Sequence, residues 1–298
     1  MKLSIVIPAY GRQELLIRCL ESLKADFNDF SDFTADIDCE ICVVDDGSGL
    51  DADSIQASVA IDSLIWKAFD APKNRAAARN EGVRSTTGEI IIFLDSDMEV
   101  SPGFLRAHHD SHLSHPQTAV IGEIDWPTSG AFHRYIGSRG VKKLSPGETV
   151  PPWYFVTGNA SVRRSDLPDQ KHPFDDALPG WGGEDLALGM ALSKNGVSFM
   201  YASDARSYHH FDGDLAGHVQ RTYRYGEEAL PIIVQRFPEL ASVLRLDLTE
   251  SQIWRMLVSA VFRRPLIFLA GSLDFLPLPD KLFDYLTFAS YAAGYLKR

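Results

Sequence analysis

The sequence predicts an α/β protein with a mainly parallel central sheet flanked by helices, and three observations carry that expectation. Apolar, strand-like runs alternate with helix-like patterns through the first third of the chain, the order that builds βαβ units. Residues 90–94, IIIFL, are apolar at every position, as expected of a strand buried on both faces. Three predicted strand ends carry polar clusters, PAYGR, DDGS and DSD, at the edge where such sheets bind ligands.

Taken in order, LSIVIPAY is a strand, and its short apolar run ended by Pro8 is not a signal peptide. RQELLIRCLESLKA sets apolar residues at helical spacing, CEICVVDD is a second strand and SLIWKAF a third. NRAAARNEGVRSTTG reads as an Ala-rich helix closed by Gly88, and EIIIFLDSD is the next strand. Further on, PGWGGEDLALGMALSKNG reads as a glycine-shaped turn followed by a helix from about Glu184 to near Gly196. No internal repeat or low-complexity tract interrupts the pattern. The expected division is residues 1–100, a nucleotide-binding part, 101–215, an acceptor-binding and catalytic part, and 216–298, a helical extension.

Composition narrows the function. The 298 residues hold 29 Lys plus Arg against 40 Asp plus Glu, a net charge of -11, and no basic stripe. That balance excludes general nucleic-acid binding. An anionic substrate then needs a local cation. Three cysteines make no disulfide framework, so a reducing, cytoplasmic compartment is expected. Cys39 and Cys42 form a C-x-x-C, but in a strand residues three apart face opposite ways.

The polar clusters suggest chemistry. Asp95 and Asp97 emerge from a buried strand at the ligand edge, where hard oxygen ligands suit Mg2+ or Mn2+ shared with a phosphate; the alternative is a turn with Asp97 capping a helix near Ser101 and Pro102. Asp45 and Asp46 could accept an N–H from a nucleobase or form an Asx-turn with Gly47 and Ser48. Glu184 and Asp185 stand in a first helical turn, whose dipole favours ionised carboxylates. There they are either a proton acceptor or ordinary helix-start acids. Trp181 offers a flat face to a sugar ring or a packing contact. Arg75 and Arg79 are phosphate donors or solvated helix charges. His108, His112 and His115 share a helical face with metal-binding spacing, although a solvated face is the commoner outcome.

SIVIPAYGR, VVDDGS, NRAAARNEG and GEIIIFLDSD, in that order and spacing, resemble the nucleotide-sugar-binding half of the family 2 glycosyltransferases with the GT-A fold. The likeness covers about the first hundred residues. FDDALPGWGGEDLALGMAL, residues 174–192, resembles the W-G-G-E-D segment of galactosyltransferase- and chondroitin-polymerase-type relatives, and RSYHH follows where their metal-binding histidine stands. Sugar-nucleotide pyrophosphorylases match less well, because their glycine-rich, lysine-bearing N-terminal loop is absent.

The resemblance implies an inverting, metal-dependent transfer from a UDP-sugar to a hydroxyl of a glycan or lipid-linked acceptor. It assigns the donor to Pro8, Ala9, Tyr10, Arg12, Asp45, Asp46, Arg75, Arg79, Asp95 and Ser96. Mn2+ or Mg2+ falls to Asp95, Asp97 and His209, with His210 the fallback, since adjacent strand residues face opposite sides. Asp185 becomes the base and Glu184 the acceptor grip, with Trp181, Gly182 and Gly183 lining the acceptor. Two other classes stay open: a non-catalytic nucleotide-sugar-binding partner protein and a metal-dependent nucleotidyltransferase.

The tail, IWRMLVSAVFRRPLIFLAGSLDFLPL from Ile253 to Leu278, is too interrupted by Arg255, Arg263, Arg264 and Asp274 to span a bilayer. Basic residues among Trp254, Phe262 and Phe268 suit either a peripheral place on the inner membrane face or packing on the core or a second subunit.

Overall fold

The computed structural model describes residues 1–33, 38–127, 129–144, 148–180, 182–210 and 213–297, without the side chains of 31–33. Among them eight strands form one sheet: β1 (Leu3–Ala9), β2 (Cys39–Asp45), β3 (Leu64–Ala68), β4 (Ile90–Leu94), β5 (Met98–Val100), β6 (Thr118–Asp125), β7 (Asn159–Arg163) and β8 (Ser198–His209). Their order is β3-β2-β1-β4-β7-β6-β8-β5. β3, β2, β1 and β4 are mutually parallel, as the alternating pattern predicts. Beyond β4 the sheet is mixed: β7 runs against both neighbours, β5 runs against β8, and β6 and β8 are parallel.

The helices are α1 (Gln13–Phe33), α2 (Ala52–Val59), α3 (Arg75–Ser85), α4 (Phe104–Ser114), α5 (Ala131–Gly137), α6 (Glu184–Lys194), α7 (Leu215–Glu228), α8 (Leu230–Arg236), α9 (Leu240–Val243), α10 (Gln252–Leu257), α11 (Ala260–Ser272) and α12 (Asp280–Tyr295). Contacts divide the chain into two compact units. The first is Met1–Pro127, Gly140–Asp176 and Glu184–His210; the second is Thr128–Arg139, Ala177–Gly183 and Phe211–Arg298. Residues 1–100 thus lie wholly in the first unit and 216–298 wholly in the second, while 101–215 is shared between them.

The sheet belongs to the first unit, and its central strand β4 is apolar throughout because both faces are covered. Ile90, Ile92 and Leu94 of β4 pack with Leu16, Leu20 and Leu23 of α1. Ile91 and Phe93 pack on the other side with Val83 of α3 and Leu188 and Leu192 of α6. Alternation along the strand divides one run between two cores. Cys39 and Cys42 follow the same rule: both are free and buried, in different clusters.

One helix end differs from expectation. α3 stops at Ser85 with Thr86 as its C-cap, and Gly88 does not close it. Gly88 lies two residues before β4, where its N–H donates to Ser4 Oγ (2.8 Å) and Glu40 (3.1 Å). In the second unit, Phe132 and Tyr135 of α5 form a cluster with Leu215 and Val219 of α7 and Phe283 and Leu286 of α12. No described helix is long and apolar enough to cross a membrane.

Candidate active site

β4 ends at Leu94, and the chain turns over Asp95, Ser96 and Asp97 before β5 begins. The turn is tied to β7, since Asp95 N–H donates to Gly158 O (3.3 Å). A side chain at Gly158 would press on it, because a Cβ there falls 3.1 Å from Met98 Cε and 3.3 Å from Asp95 Oδ2. The two aspartates do not lie side by side as strand residues would. Asp95 Oδ1 accepts from Arg79 Nη2 (2.8 Å), whereas Asp97 Oδ1 faces His209 Nε2 (3.1 Å) and Asp97 Oδ2 lies 3.9 Å from Arg12 Nη1. Asp97 caps no helix; Asp26 accepts from Gly103 N–H and Leu105 N–H at the start of α4.

Asp97 and His209 meet because β5 pairs with β8 and places Met98 opposite His209. The His209 ring lies tilted against Trp126, with ring centroids 4.4 Å apart and planes 60° apart. His210 takes the other side, with Nε2 2.8 Å from Glu99 and Nδ1 3.4 Å from Arg18. Burial opposes the Asp97 charge, but the hydrogen bond and charge of His209 outweigh it and hold this carboxyl below its usual range.

Arg79 is the hub. The sequence leaves it open as a solvated helix charge, yet its side chain is 1% exposed. It reaches Asp95 at 2.8 Å, Glu184 at 3.1 Å and Asp185 at 3.6 Å. Burial works against the guanidinium charge, and the three carboxylates reverse that and raise its pKa. Arg75, one turn earlier on α3, adds a second contact to Glu184 at 3.1 Å. α3 is fixed by its asparagines. Asn74 caps it through Ala77 N–H and donates to Asp176 O, while Asn80 exchanges two 2.9 Å bonds with the Phe174 backbone. These bonds hold residues 174–176 against the helix that carries both arginines.

Glu184 and Asp185 open α6 as predicted, and their surroundings separate them. Glu184 is 8% exposed beneath two arginines. Burial opposes its charge, and Arg75 and Arg79 overcome it, leaving its pKa low. Asp185 keeps 26% of its side chain exposed. Its carboxylate accepts from Thr157 Oγ (2.5 Å) and Thr157 N–H (3.3 Å). Burial and the Glu184 charge push its pKa up against Arg79 and Thr157. Thr157, fully buried, has no counterpart among the residues singled out from sequence; its only signal is a small-residue T-G-N just before a strand.

On the donor side, Pro8 and Ala9 end β1, Tyr10 is 62% exposed and Arg12 has a left-handed backbone (φ 52). Asp45 forms an Asx-type turn: its carboxylate accepts from the N–H groups of Ser48, Gly49 and Leu50. Ser48 Oγ in turn accepts from Gly11 N–H (2.8 Å), joining the β1 and β2 ends. Asp46 Oδ1 accepts from Lys73 N–H (2.8 Å).

Other expectations fall elsewhere. Trp181 lies outside the described residues. Gly182 and Gly183 belong to the second unit, where with Gly180 they take positive φ of 93, 98 and 77 and shape the expected turn. The three histidines form no metal cluster among the described residues, and only His115 is exposed to solvent. His108 and His112 are fully buried and share Ser161 Oγ at 2.8 Å each, and His115 bonds back to Ser111 O. Burial lowers the pKa of His108 to about 4 and of His112 to about 3. Among the described residues no three or more His, Cys, Asp or Glu form a group that could hold a metal. Asp97 and His209, a hard oxygen and an imidazole 3.1 Å apart, fit a divalent cation that takes its remaining ligands from a diphosphate and water.

The sheet edge of the first unit thus gathers a D-x-D turn, a histidine and a helix-start carboxylate pair. Residues 4–169 match glycosyl transferase family 2 and residues 90–292 match glycosyl transferase family group 2; the chain belongs to the family 2 glycosyltransferases. It is 25% identical over 262 residues to the uncharacterized glycosyltransferase YfnE of Bacillus subtilis, covering 70% of this chain and 64% of that one. It is 28% identical over 227 residues to validoxylamine A glucosyltransferase of Streptomyces hygroscopicus subsp. jinggangensis, covering 65% and 52%. The chain thus spans about half to two thirds of the length of these relatives. Among solved structures, the mannosyltransferase PcManGT of Pyrobaculum calidifontis with GDP-Man and Mn2+ aligns at a TM-score of 0.61 and 17% identity, covering 99% of this chain and 85% of that one. TarS (1-349) of S. aureus in complex with UDP aligns at 0.55 and 19% identity, covering 75% and 64%. These likenesses establish the GT-A fold.

Proposed function

We propose that the chain transfers a sugar from a nucleoside-diphosphate sugar, a UDP-sugar in the first instance, to a hydroxyl of a glycan or lipid-linked acceptor, with inversion at the anomeric carbon. The observation that carries this reading is the Arg79 hub. One buried cation ties the D-x-D turn to the α6 carboxylates while leaving Asp185, alone of the α6 pair, open to solvent.

In the mechanism, the donor lies across the ends of β1, β2 and β4, with its base near Asp46 and Tyr10. A divalent cation held by Asp97 and His209, in the same turn as Asp95, would neutralise the leaving diphosphate. Arg79 holds Asp95 in place and, with Arg75, keeps Glu184 ionised. Asp185 takes the proton from the acceptor hydroxyl. As the hydroxyl oxygen bonds to the anomeric carbon, the bond to the diphosphate breaks on the opposite face, and no covalent enzyme intermediate forms. Trp181, Gly182 and Gly183, next to Asp185 in sequence, are proposed to receive the acceptor.

The test is a panel of UDP- and GDP-sugars assayed for nucleoside diphosphate release with Mn2+. Release is expected from one donor, lost with EDTA and with Asp97→Ala. It should fall by ~100-fold or more in Asp185→Asn while donor binding survives. Pyrophosphate in place of nucleoside diphosphate would identify a nucleotidyltransferase. Donor binding without any release would identify a non-catalytic partner.

A further inference from the structure

The second unit carries a surface that the transfer reaction does not use. Of the fourteen large hydrophobic residues left exposed among the described residues, eight lie between Ile253 and Leu276. Val261, Phe268 and Phe275 are 77%, 76% and 77% exposed, values rare for such side chains in a packed helical layer. On α11, Val261, Pro265, Phe268 and Leu269 share the solvent side, while Ala270 and Arg263 turn inward; Phe275 lies in the turn that follows.

Charge identifies what covers this face. Residues 252–279 contain Arg255, Arg263, Arg264 and Asp274 as their only charged groups. Asp274 is taken up internally, accepting from Phe132 N–H at 2.7 Å, and Arg263 is buried over the Tyr223 ring. What reaches water is therefore apolar surface studded with the exposed Arg255 and Arg264, in a chain whose net charge is -11. A symmetric second copy would offer these arginines the same face again, which holds no free acid to pair with them. A layer of anionic headgroups over hydrocarbon satisfies both features at once.

We infer that α10, α11 and the turn to α12 form a peripheral docking surface for an anionic phospholipid bilayer. The aromatic and aliphatic side chains enter the acyl boundary, and Arg255 and Arg264 meet phosphate groups. The association is reversible, since no described helix can cross a membrane, and it does not depend on the transfer chemistry.

Vesicles of phosphatidylcholine, with and without phosphatidylglycerol, test it by co-sedimentation of the full chain. Binding is expected only to the anionic vesicles at low salt, with release at about 0.5 M salt, where screening shortens to a few ångströms. Arg264→Gln should lower the partition roughly fivefold. Phe268→Ser combined with Phe275→Ser should lower it at least about tenfold, through lost apolar burial. Both variants alter exposed positions, so their thermal melting should match the parent. Failure to bind anionic vesicles at low salt, or unchanged binding in both variants, overturns the inference. A dimer by light scattering that Phe268→Ser/Phe275→Ser dissolves overturns it in favour of a second copy on this face.

Discussion

Arg79 and Arg263 are both withdrawn from water, one in each compact unit, and both leave Nε without a partner. They differ in what surrounds the charge. Arg79 faces three carboxylates within 3.6 Å. Arg263 faces a ring at 5.0 Å and the Ser290 carbonyl at 3.5 Å. Burial lowers the pKa of Arg263, with the neighbouring Arg264 acting in the same direction, whereas the carboxylates raise that of Arg79. Burial alone does not mark a functional charge. A shell of opposite charges collected from distant segments does, because withdrawing charged groups from water is costly and survives where their arrangement has a use.

Replacing both arginines by methionine tests the contrast most strongly. Arg79→Met leaves Glu184 buried with one arginine and Asp95 with none, and should cost ~3–5 kcal/mol in urea unfolding. Arg263→Met removes a charge with no carboxylate partner and exchanges it for apolar contact, so its cost should stay within about 1 kcal/mol. Equal losses would break the contrast and make Arg79 a packing residue like Arg263.

The buried histidines of α4 show the third outcome, a base that sheds its charge. His108 and His112 fold as neutral rings, with pKa values lowered to about 4 and about 3 from 6.5. The unfolded chain therefore binds more protons below pH 6.5, and stability falls as the pH drops from there until the folded values are reached. Between pH 7 and pH 5 each histidine should cost ~1.5–2 kcal/mol. Urea midpoints across that range should flatten by about half in His112→Phe. An unchanged pH slope in that variant would show that the acid sensitivity lies in other groups.

These cases show what the sequence made legible. β1, β2 and β4 could be read because burial on two faces writes unbroken apolar runs. Asp95 and Asp97 stood out as acids placed directly after such a run, and Glu184 and Asp185 as acids between a glycine turn and a helix. Burial of Arg79 was hidden, because RAAAR looks like a solvated helix turn and its carboxylates lie 16 and 105 positions away. His108 misled for the same reason: its partners Ser161 and Asn159 are 53 and 51 positions distant. Antiparallel β7 also escaped notice, since NASVR carries polar residues that the buried histidines and the β8 backbone satisfy. Periodicity records local burial, and charge pairing across the fold leaves no mark in it.

Thr157 offers the finest test of the hub, because it acts on one carboxylate only. Its hydroxyl donates to Asp185 Oδ1 and its N–H to Oδ2, and both bonds favour the ionised form that a base requires. Thr157→Val keeps the shape and the backbone donor and deletes the hydroxyl. The Asp185 pKa, already raised by burial, should rise further, by about one pH unit, or ~1.4 kcal/mol. Under the proposed mechanism transfer needs the ionised carboxylate, so the rate climbs with pH through this pKa, and the acidic limb of the kcat profile should move up by that amount. Well above the limb, kcat and the donor KM should match the parent. A uniform drop in kcat at every pH, with no movement of the limb, would mean that Thr157 holds the α6 turn in place without tuning the base.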